Sequence, residues 1–307
     1  MMDNYGFYTG KSFDAYEFFG CHTDENGAVF RVFAPAAVRI SVIGEFNGWQ
    51  DTPMNKIGDG NFWAVYIEGV KPGQMYKYKI YKPDGSCMDH CDPYGYGMEL
   101  RPASASIVRN LYGYEFQDDA WMKKRSNGVA SALNLYEIHA GSWKKPQNGW
   151  YRYDELAMQL VPYLKEYGYN YIELLPIGEH PCDESWGYQC SGFYSPTSRY
   201  GTLDDYKKMI DILHHNDIGV IMDFVPVHFA VDAYALAKFD GTALYEYPHK
   251  DVGNSEWGSC NFMHSRGEVR SFLQSCANYW LKEYHVDGLR MDAISNMIYW
   301  QGNPARG

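Results

Sequence analysis

The second half of the chain alternates short apolar runs with longer helical patterns, and this alternation limits the fold more than any other feature. Strand-like runs lie at 133–139, 169–177, 218–224 and 286–294. Between them, apolar residues recur every three to four positions at 153–168, 202–216 and 268–284. Strands that alternate with helices predict a parallel sheet with right-handed crossover connections.

Two of the helical patterns carry local signals. Leu156, Leu160 and Leu164 are spaced four apart, which predicts one buried face, while Pro162 predicts a kink or a restart within the same pattern. In the next pattern Thr202 is the expected N-cap, with Asp205 at the reciprocal position of a capping box. The helical assignments therefore rest on end signals as well as on spacing.

The connection after the third strand interrupts the alternation of strands and helices. Residues 229–265 contain several aromatic side chains but no clear helical pattern. Loops of this length are usually functional or disordered.

The first 115 residues follow a different pattern. Alternating apolar positions occur in GAVFRVFAP (27–35) and in VRISVIGEFNGW (38–49), and Pro-Gly and Asp-Gly turns punctuate the later runs. Short strands with such turns predict an antiparallel sandwich. We therefore predict an all-β sandwich over 1–115 and a second domain over 116–307.

Composition excludes several classes of protein. The formal net charge of −11 argues against a nucleic-acid partner, whose phosphates require Lys and Arg. The sequence contains no apolar run long enough for a membrane helix, and its first residues do not resemble a secretory signal. Seven cysteines, an odd number, favour free thiols in a reducing cytoplasm. Cys87, His90 and Cys91 do not complete a metal site.

Charged residues lie where the predicted strands end. Arg290 and Asp292 are two residues apart, so their side chains leave the same side of the last strand. A cation beside a carboxylate favours its ionised form, and an ionised, oriented carboxylate can attack the anomeric carbon of a sugar. The alternatives are a structural ion pair, or Asp292 as the N-cap of a following helix.

Other polar and aromatic residues allow two interpretations each. Asp223 and His228 follow the third strand, where they can serve a site, cap a turn or form ordinary hydrogen bonds. The run SWGYQCSGFYSPTSRYG (185–201) can form a sugar-stacking platform or pack beneath the sheet. Its aromatic residues are Trp186, Tyr188, Phe193, Tyr194 and Tyr200.

In this order, the motifs resemble the α-amylase superfamily. DFVPVH and GLRMDAI resemble two of its conserved segments, and YEIHAGSW, IELLPI, SWGYQCSGFYSPTSRYGT and YWLKEYHVDGLRMDAIS resemble the glycogen branching enzymes (1,4-α-glucan branching enzymes). The front sandwich is similar, through VFRVFAPAAVRISVIGEFNGW, to the carbohydrate-binding module of branching and debranching enzymes. The resemblance covers nearly the whole chain.

The resemblance implies a role for each site residue. Asp292 would be the nucleophile of a retaining double displacement, and Arg290 would orient it and keep it charged. Tyr188 would stack under the sugar, His228 would hydrogen-bond its hydroxyls, and Asp223 would support the site. The implied substrate-binding set is Trp186, Tyr188, Asp223 and His228. An α-1,4-glucan would be cleaved and transferred to a glucan 6-hydroxyl, and no cofactor or metal is implied.

Two family segments have no counterpart in the sequence. They carry the glutamate general acid and a second aspartate, and the four strands counted here are half of a (β/α)8 barrel. We therefore expect the front portion of a longer enzyme, with little branching activity alone, that self-associates through its open half barrel. The alternatives are an α-1,6 debranching hydrolase and a non-catalytic glucan-binding fragment, for which Trp49 and Trp63 are candidate contacts.

Overall fold

The computed structural model describes residues 2–125 and 132–299, and the front part is an antiparallel β-sandwich. One sheet has the order β1-β2-β6-β5, and the other has the order β4-β3-β7-β8, with β9 paired to β7. A short helix precedes them. These elements are α1 (Asn4–Thr9), β1 (Gly20–Thr23), β2 (Gly27–Phe33), β3 (Arg39–Gly44), β4 (Thr52–Pro53), β5 (Asn55–Ile57), β6 (Phe62–Glu68), β7 (Met75–Tyr81), β8 (Cys87–His90) and β9 (Ser106–Ile107).

Alternation along the strands forms the core of the sandwich. In β7, Tyr76, Tyr78 and Ile80 are buried, while the lysines between them are more exposed. The Tyr76 ring lies 5.0 Å from the Phe30 ring of the other sheet. The predicted all-β sandwich is confirmed.

The second part contains a four-stranded parallel sheet in the order β10-β11-β14-β17. This is the predicted first half of an α-amylase-type barrel. Two short antiparallel pairs, β12 with β13 and β15 with β16, lie in its loops. The elements are α2 (Asp119–Arg125), β10 (Leu135–Ile138), α3 (Tyr153–Tyr167), β11 (Tyr171–Leu174), β12 (Gly178–Glu179), β13 (Gly192–Pro196), α4 (Leu203–His215), β14 (Gly219–Phe224), β15 (His228–Phe229), α5 (Lys250–Gly253), β16 (Cys260–Asn261), α6 (Gly267–Glu283), β17 (Gly288–Met291) and α7 (Ile294–Ile298).

The two faces of the parallel sheet differ. Ile138, Leu174 and Met222 are register neighbours, and they are buried in the hydrophobic core. Glu137 and Glu173, also register neighbours, project to the opposite, inward face, because successive side chains of a strand alternate. The polar residues at the strand ends therefore belong to the face that a barrel encloses.

The helices follow the sequence signals with one exception. The Thr202 hydroxyl and amide both bond the Asp205 carboxylate, so the capping box at the start of α4 is confirmed. Helix α3 continues through Pro162, so the predicted restart is wrong. Leu160 and Leu164, buried on either side of the proline, hold the helix together across the lost hydrogen bond.

The long connection after β14 contains little regular structure. It holds one four-residue helix, α5, and the second strand of the β15–β16 pair. No helix in the described ranges combines the length and the apolar character needed to cross a bilayer.

The N-terminal segment joins the two parts. The Ser271 hydroxyl of α6 donates to the Phe7 carbonyl at 2.8 Å, and the Tyr16 amide donates to the Ser275 hydroxyl at 3.0 Å. A side chain at Gly267 would place its Cβ only 1.8 Å from the Tyr8 carbonyl oxygen, so this close approach requires glycine. Residues before β1 therefore pack against the half barrel, while the division at 115/116 stays a prediction.

Candidate active site

The ends of β14 and β17 bring three charged side chains together. Asp223 and Arg290 are register partners, and the Asp292 amide extends the pairing by donating to the Phe224 carbonyl at 3.0 Å. Arg290 Nη1 donates to Asp292 Oδ1 at 2.7 Å and to Asp223 Oδ2 at 3.1 Å. One guanidinium thus bridges two carboxylates at the rim of the sheet.

The structure excludes one of the interpretations of Asp292. The N-cap of α7 is Ala293, and no side chain caps that helix, so Asp292 is not a helix cap. Its Oδ1 forms the ion pair with Arg290. For Oδ2, no hydrogen bond occurs within 2–125 or 132–299, which leaves that oxygen open to a ligand.

Tyr188 reaches the same cluster from the loop before β13. Its hydroxyl donates to Asp223 Oδ2 at 2.6 Å. The preceding Gly187 has a φ of 92°, and a Cβ there would lie 2.3 Å from the Pro176 carbonyl oxygen. A glycine is therefore needed to bring Tyr188 this close to the sheet. Burial and the hydrogen bond to Asp223 both raise the pKa of Tyr188, so the phenol stays protonated.

Asp223 is the most buried charged residue of the cluster. Burial raises the pKa of this carboxyl to about 6, although the Tyr188 hydroxyl and the Arg290 guanidinium both act to lower it. Its Oδ1 is buried without a hydrogen-bond partner in the described part of the chain. Such an atom is costly to leave unsatisfied, so it is suited to bind a polar ligand.

His228 lies on β15, beside the cluster. Burial lowers the pKa of its imidazole, and the nearby Asp292 carboxylate offsets this only in part. Its Nδ1 is buried and finds no partner among the described residues. A neutral imidazole with a free ring nitrogen can donate to, or accept from, a ligand hydroxyl.

Trp186, which the sequence grouped with Tyr188, has no hydrogen bond or ring contact with Asp223, Arg290 or Asp292 among the described residues. Its side chain is 56% exposed and stacks on His139, with ring centroids 6.2 Å apart. The other three aromatic residues of 185–201 are buried, so that run divides between an exposed platform and the core. The buried residues are Phe193, Tyr194 and Tyr200.

Sequence reasoning missed two aromatic neighbours of the site. Trp257, in the long connection, lies with its ring centroid 5.2 Å from that of His228. His139, at the end of β10, stacks on Trp186. The available signals were the aromatic residues within 229–265 and the polar end of the first strand, and neither signal singles out one residue.

A metal centre was not expected from the sequence. Within the two described ranges, no group of three or more His, Cys, Asp or Glu side chains is arranged to hold an ion. The absence of a cofactor or metal stays a prediction.

Comparisons with known proteins agree with the two-part architecture. Residues 18–95 match carbohydrate-binding module 48 (isoamylase N-terminal domain), and residues 157–251 match the α-amylase catalytic domain. The chain is 45% identical over 304 residues, 98% of its length, to the 1,4-α-glucan branching enzyme GlgB of Fusobacterium nucleatum. It is 43% identical over 99% of its length to the GlgB of Bacillus subtilis. The chain belongs to the branching-enzyme family.

The chain spans only about half the length of the curated relatives that it matches. The chain covers 50% of each of those two relatives. A Salmonella typhimurium protein assigned as an α-amylase superposes with a TM-score of 0.74 at 26% identity, with 94% of this chain and 45% of that chain covered. A pullulanase of Bacillus acidopullulyticus shares the fold, with a TM-score of 0.71 at 22% identity. The superposition covers 90% of this chain and 38% of the pullulanase chain.

Proposed function

We propose that this chain is the front portion of a 1,4-α-glucan branching enzyme and that Asp292 is its nucleophile. The observation that carries the proposal is the bridge of Arg290 between Asp292 and Asp223 at the C-terminal rim of a parallel sheet. In barrels of this class, the rim is where chemistry takes place. The curated relatives are named branching enzymes, which favours this function over debranching.

Each side chain of the cluster has a task in the proposed reaction. An oxygen of Asp292 bonds to the anomeric carbon of a glucose unit as the α-1,4 bond to the leaving O4 breaks, and Arg290 holds that carboxylate in place. The O4 atom takes a proton from a general acid. We expect the acid to come from a segment that lacks a counterpart in this sequence. The 6-hydroxyl of another glucan then displaces Asp292 and gives its proton to that same group, now acting as a base, which creates the α-1,6 branch.

The neighbouring residues would bind the sugar. Tyr188, whose hydroxyl is held by Asp223, presents a fixed aromatic ring for stacking on the sugar. The unpartnered His228 Nδ1 and Asp223 Oδ1 are suited to hydrogen-bond sugar hydroxyls. Trp186, on its exposed side, would contact the glucan farther from Asp292.

The substrate would be a glycogen-like or amylose-like α-1,4-glucan, and the front domain over 1–115 would help retain it. The catalytic half barrel would occupy 116–307. A cytoplasmic location is supported by the cysteines, all seven of which are free thiols.

A chimera tests the proposed function directly. Residues 1–307 replace the matching half of the Fusobacterium nucleatum relative, and α-1,6 linkages formed from linear amylose are counted. We predict a branching chimera that Asp292→Asn inactivates about 10⁴-fold or more, because the nucleophile is lost.

The matched control is Asp217→Asn, an exposed aspartate just before β14 that should leave branching unchanged. A branching Asp292→Asn chimera would contradict the assignment. The 307-residue chain alone should show little turnover, because general acid catalysis is typically worth about 10² to 10⁴ in rate.

A further inference from the structure

A tight hairpin in the long connection presents one tryptophan beside the site. We call residues 254–260 the Trp257 hairpin. The Ser255 amide donates to the Ser259 carbonyl at 2.8 Å, and the Ser259 amide donates to the Ser255 hydroxyl at 3.1 Å. Gly258 has a φ of 74°, which allows the sharp turn directly after Trp257. The hairpin is thus held by its own hydrogen bonds.

Two contacts fix this hairpin to the active-site elements. Its last residue begins β16, which pairs with β15, the strand of His228. Gln189, next to Tyr188, donates from Nε2 to the Trp257 carbonyl at 3.0 Å. The position of Trp257 therefore depends on the two segments that carry His228 and Tyr188.

The Trp257 side chain is only partly used by the fold. The indole lies 5.2 Å from the buried His228 ring at an angle of 41°, yet 46% of the residue is exposed. No hydrogen bond of its Nε1 occurs in the ranges the structure describes. A large apolar ring that is rigidly held and half open to solvent is well suited to bury the apolar face of a sugar.

We infer that Trp257 is a glucan-contact residue, with one side on His228 and its open side against a glucose unit next to the one attacked by Asp292. The inference rests on the proposed function, and it names one further residue that lines the same site. Removing the indole should affect glucan binding more than the bond-breaking step, because in the described structure no hydrogen bond or cation–π contact joins Trp257 to Arg290 or Asp292.

The branching chimera separates binding from chemistry. For Trp257→Ala, we expect KM for amylose to rise about tenfold, while kcat changes much less. Trp257→Phe, which keeps a flat ring, should recover most of the affinity. Tyr167→Ala, an exposed aromatic at the end of α3, is the matched control and should leave KM unchanged. An unchanged KM in Trp257→Ala would overturn the inference.

The 307-residue chain provides a test that is independent of branching. Maltoheptaose binding, measured by calorimetry, should weaken about tenfold in Trp257→Ala and stay unchanged in Tyr167→Ala. A chimera that fails to branch would contradict the proposed function, whereas equal maltoheptaose affinity in Trp257→Ala would contradict this inference alone.

A final measurement tests whether the side chain at position 257 covers the His228 imidazole in each variant. The NMR titration of His228 should move toward the ordinary histidine pKa in Trp257→Ala, because the imidazole loses its cover, and stay low in Trp257→Phe. An unchanged titration in Trp257→Ala would contradict the packing on which the inference depends.

Discussion

At the scale of single residues, Asp223 is the group whose charge the fold controls most clearly. Burial raises its pKa to about 6, above the ordinary value that applies in the unfolded chain. Below the ordinary pKa the carboxyl is neutral in both states. Between the ordinary pKa and pH 6, the unfolded chain loses this proton while the folded chain keeps it, so folding becomes less favourable as the pH rises; above pH 6 both states are ionised and the loss is complete.

The Asp223→Asn variant should remove this pH dependence. We predict that the free energy of unfolding of the variant, relative to the wild type, increases by about 2 kcal/mol between pH 4 and pH 7. Urea unfolding at both pH values measures this difference. Asp217→Asn, on the surface, should show no comparable change. A difference that is constant with pH would contradict the raised pKa.

At the scale of elements, a buried histidine joins α2, α4 and β17 at the opposite end of the sheet. His214 Nδ1 lies 2.7 Å from Asp118 Oδ2, and its Nε2 lies 3.0 Å from Asp287 Oδ2. Burial acts to raise the pKa of Asp287, but hydrogen bonds from His214 and Trp121 outweigh it, so the pKa is lowered. One imidazole thus bridges two carboxylates from separate segments, while His285 also contacts Asp118 and Arg125 also contacts Asp287.

Removing this imidazole should destabilise the half barrel strongly. We predict that His214→Leu lowers the free energy of unfolding by about 3–5 kcal/mol, because two buried carboxylates each lose one of their partners. Circular dichroism during urea unfolding gives the value. His215→Ala, at the neighbouring exposed position, is the control and should cost far less. An equal decrease in the free energy of unfolding in the two variants would show that the buried bridge does not stabilise the fold more than a surface contact does.

At the scale of the whole molecule, the inward face of the parallel sheet is acidic. Glu137 and Glu173 are register neighbours on that face, and no ion pair to either occurs within the described residues. If two copies closed their half barrels on each other, four such carboxylates would share one layer. Like charges at this separation repel, and salt screens the repulsion.

The self-association expected from the open sheet should therefore depend on salt. We predict that the sedimentation coefficient of the wild-type chain increases with ionic strength, and that Glu137→Gln combined with Glu173→Gln associates already at low salt. Analytical ultracentrifugation provides both measurements. Exposed Glu25→Gln combined with Glu68→Gln is the control. Identical behaviour of the two double variants would exclude this role of the acidic pair.

Much of the fold could be predicted because its signals are local. The alternation in β7 and the capping box of Thr202 and Asp205 involve residues that are close in the sequence, so a local pattern is enough to predict them. The strand-end pair Arg290 and Asp292 followed from spacing in the same way. The continuity of α3 through Pro162 could not be predicted in this way, because a local proline signal allows a kink or a restart and the burial of the neighbouring leucines depends on tertiary packing.

The sequence by itself determined the two-part architecture and placed charged groups at the ends of parallel strands, because periodicity sets which side chains share a face. Only the tertiary structure decided which aromatic residues lie in the core and which stay partly exposed beside the charged cluster. Tyr194 packs on Phe272 and Trp257 packs on His228, and these pairs come from segments far apart in the chain. Burial depends on such distant partners, and a local pattern does not contain them.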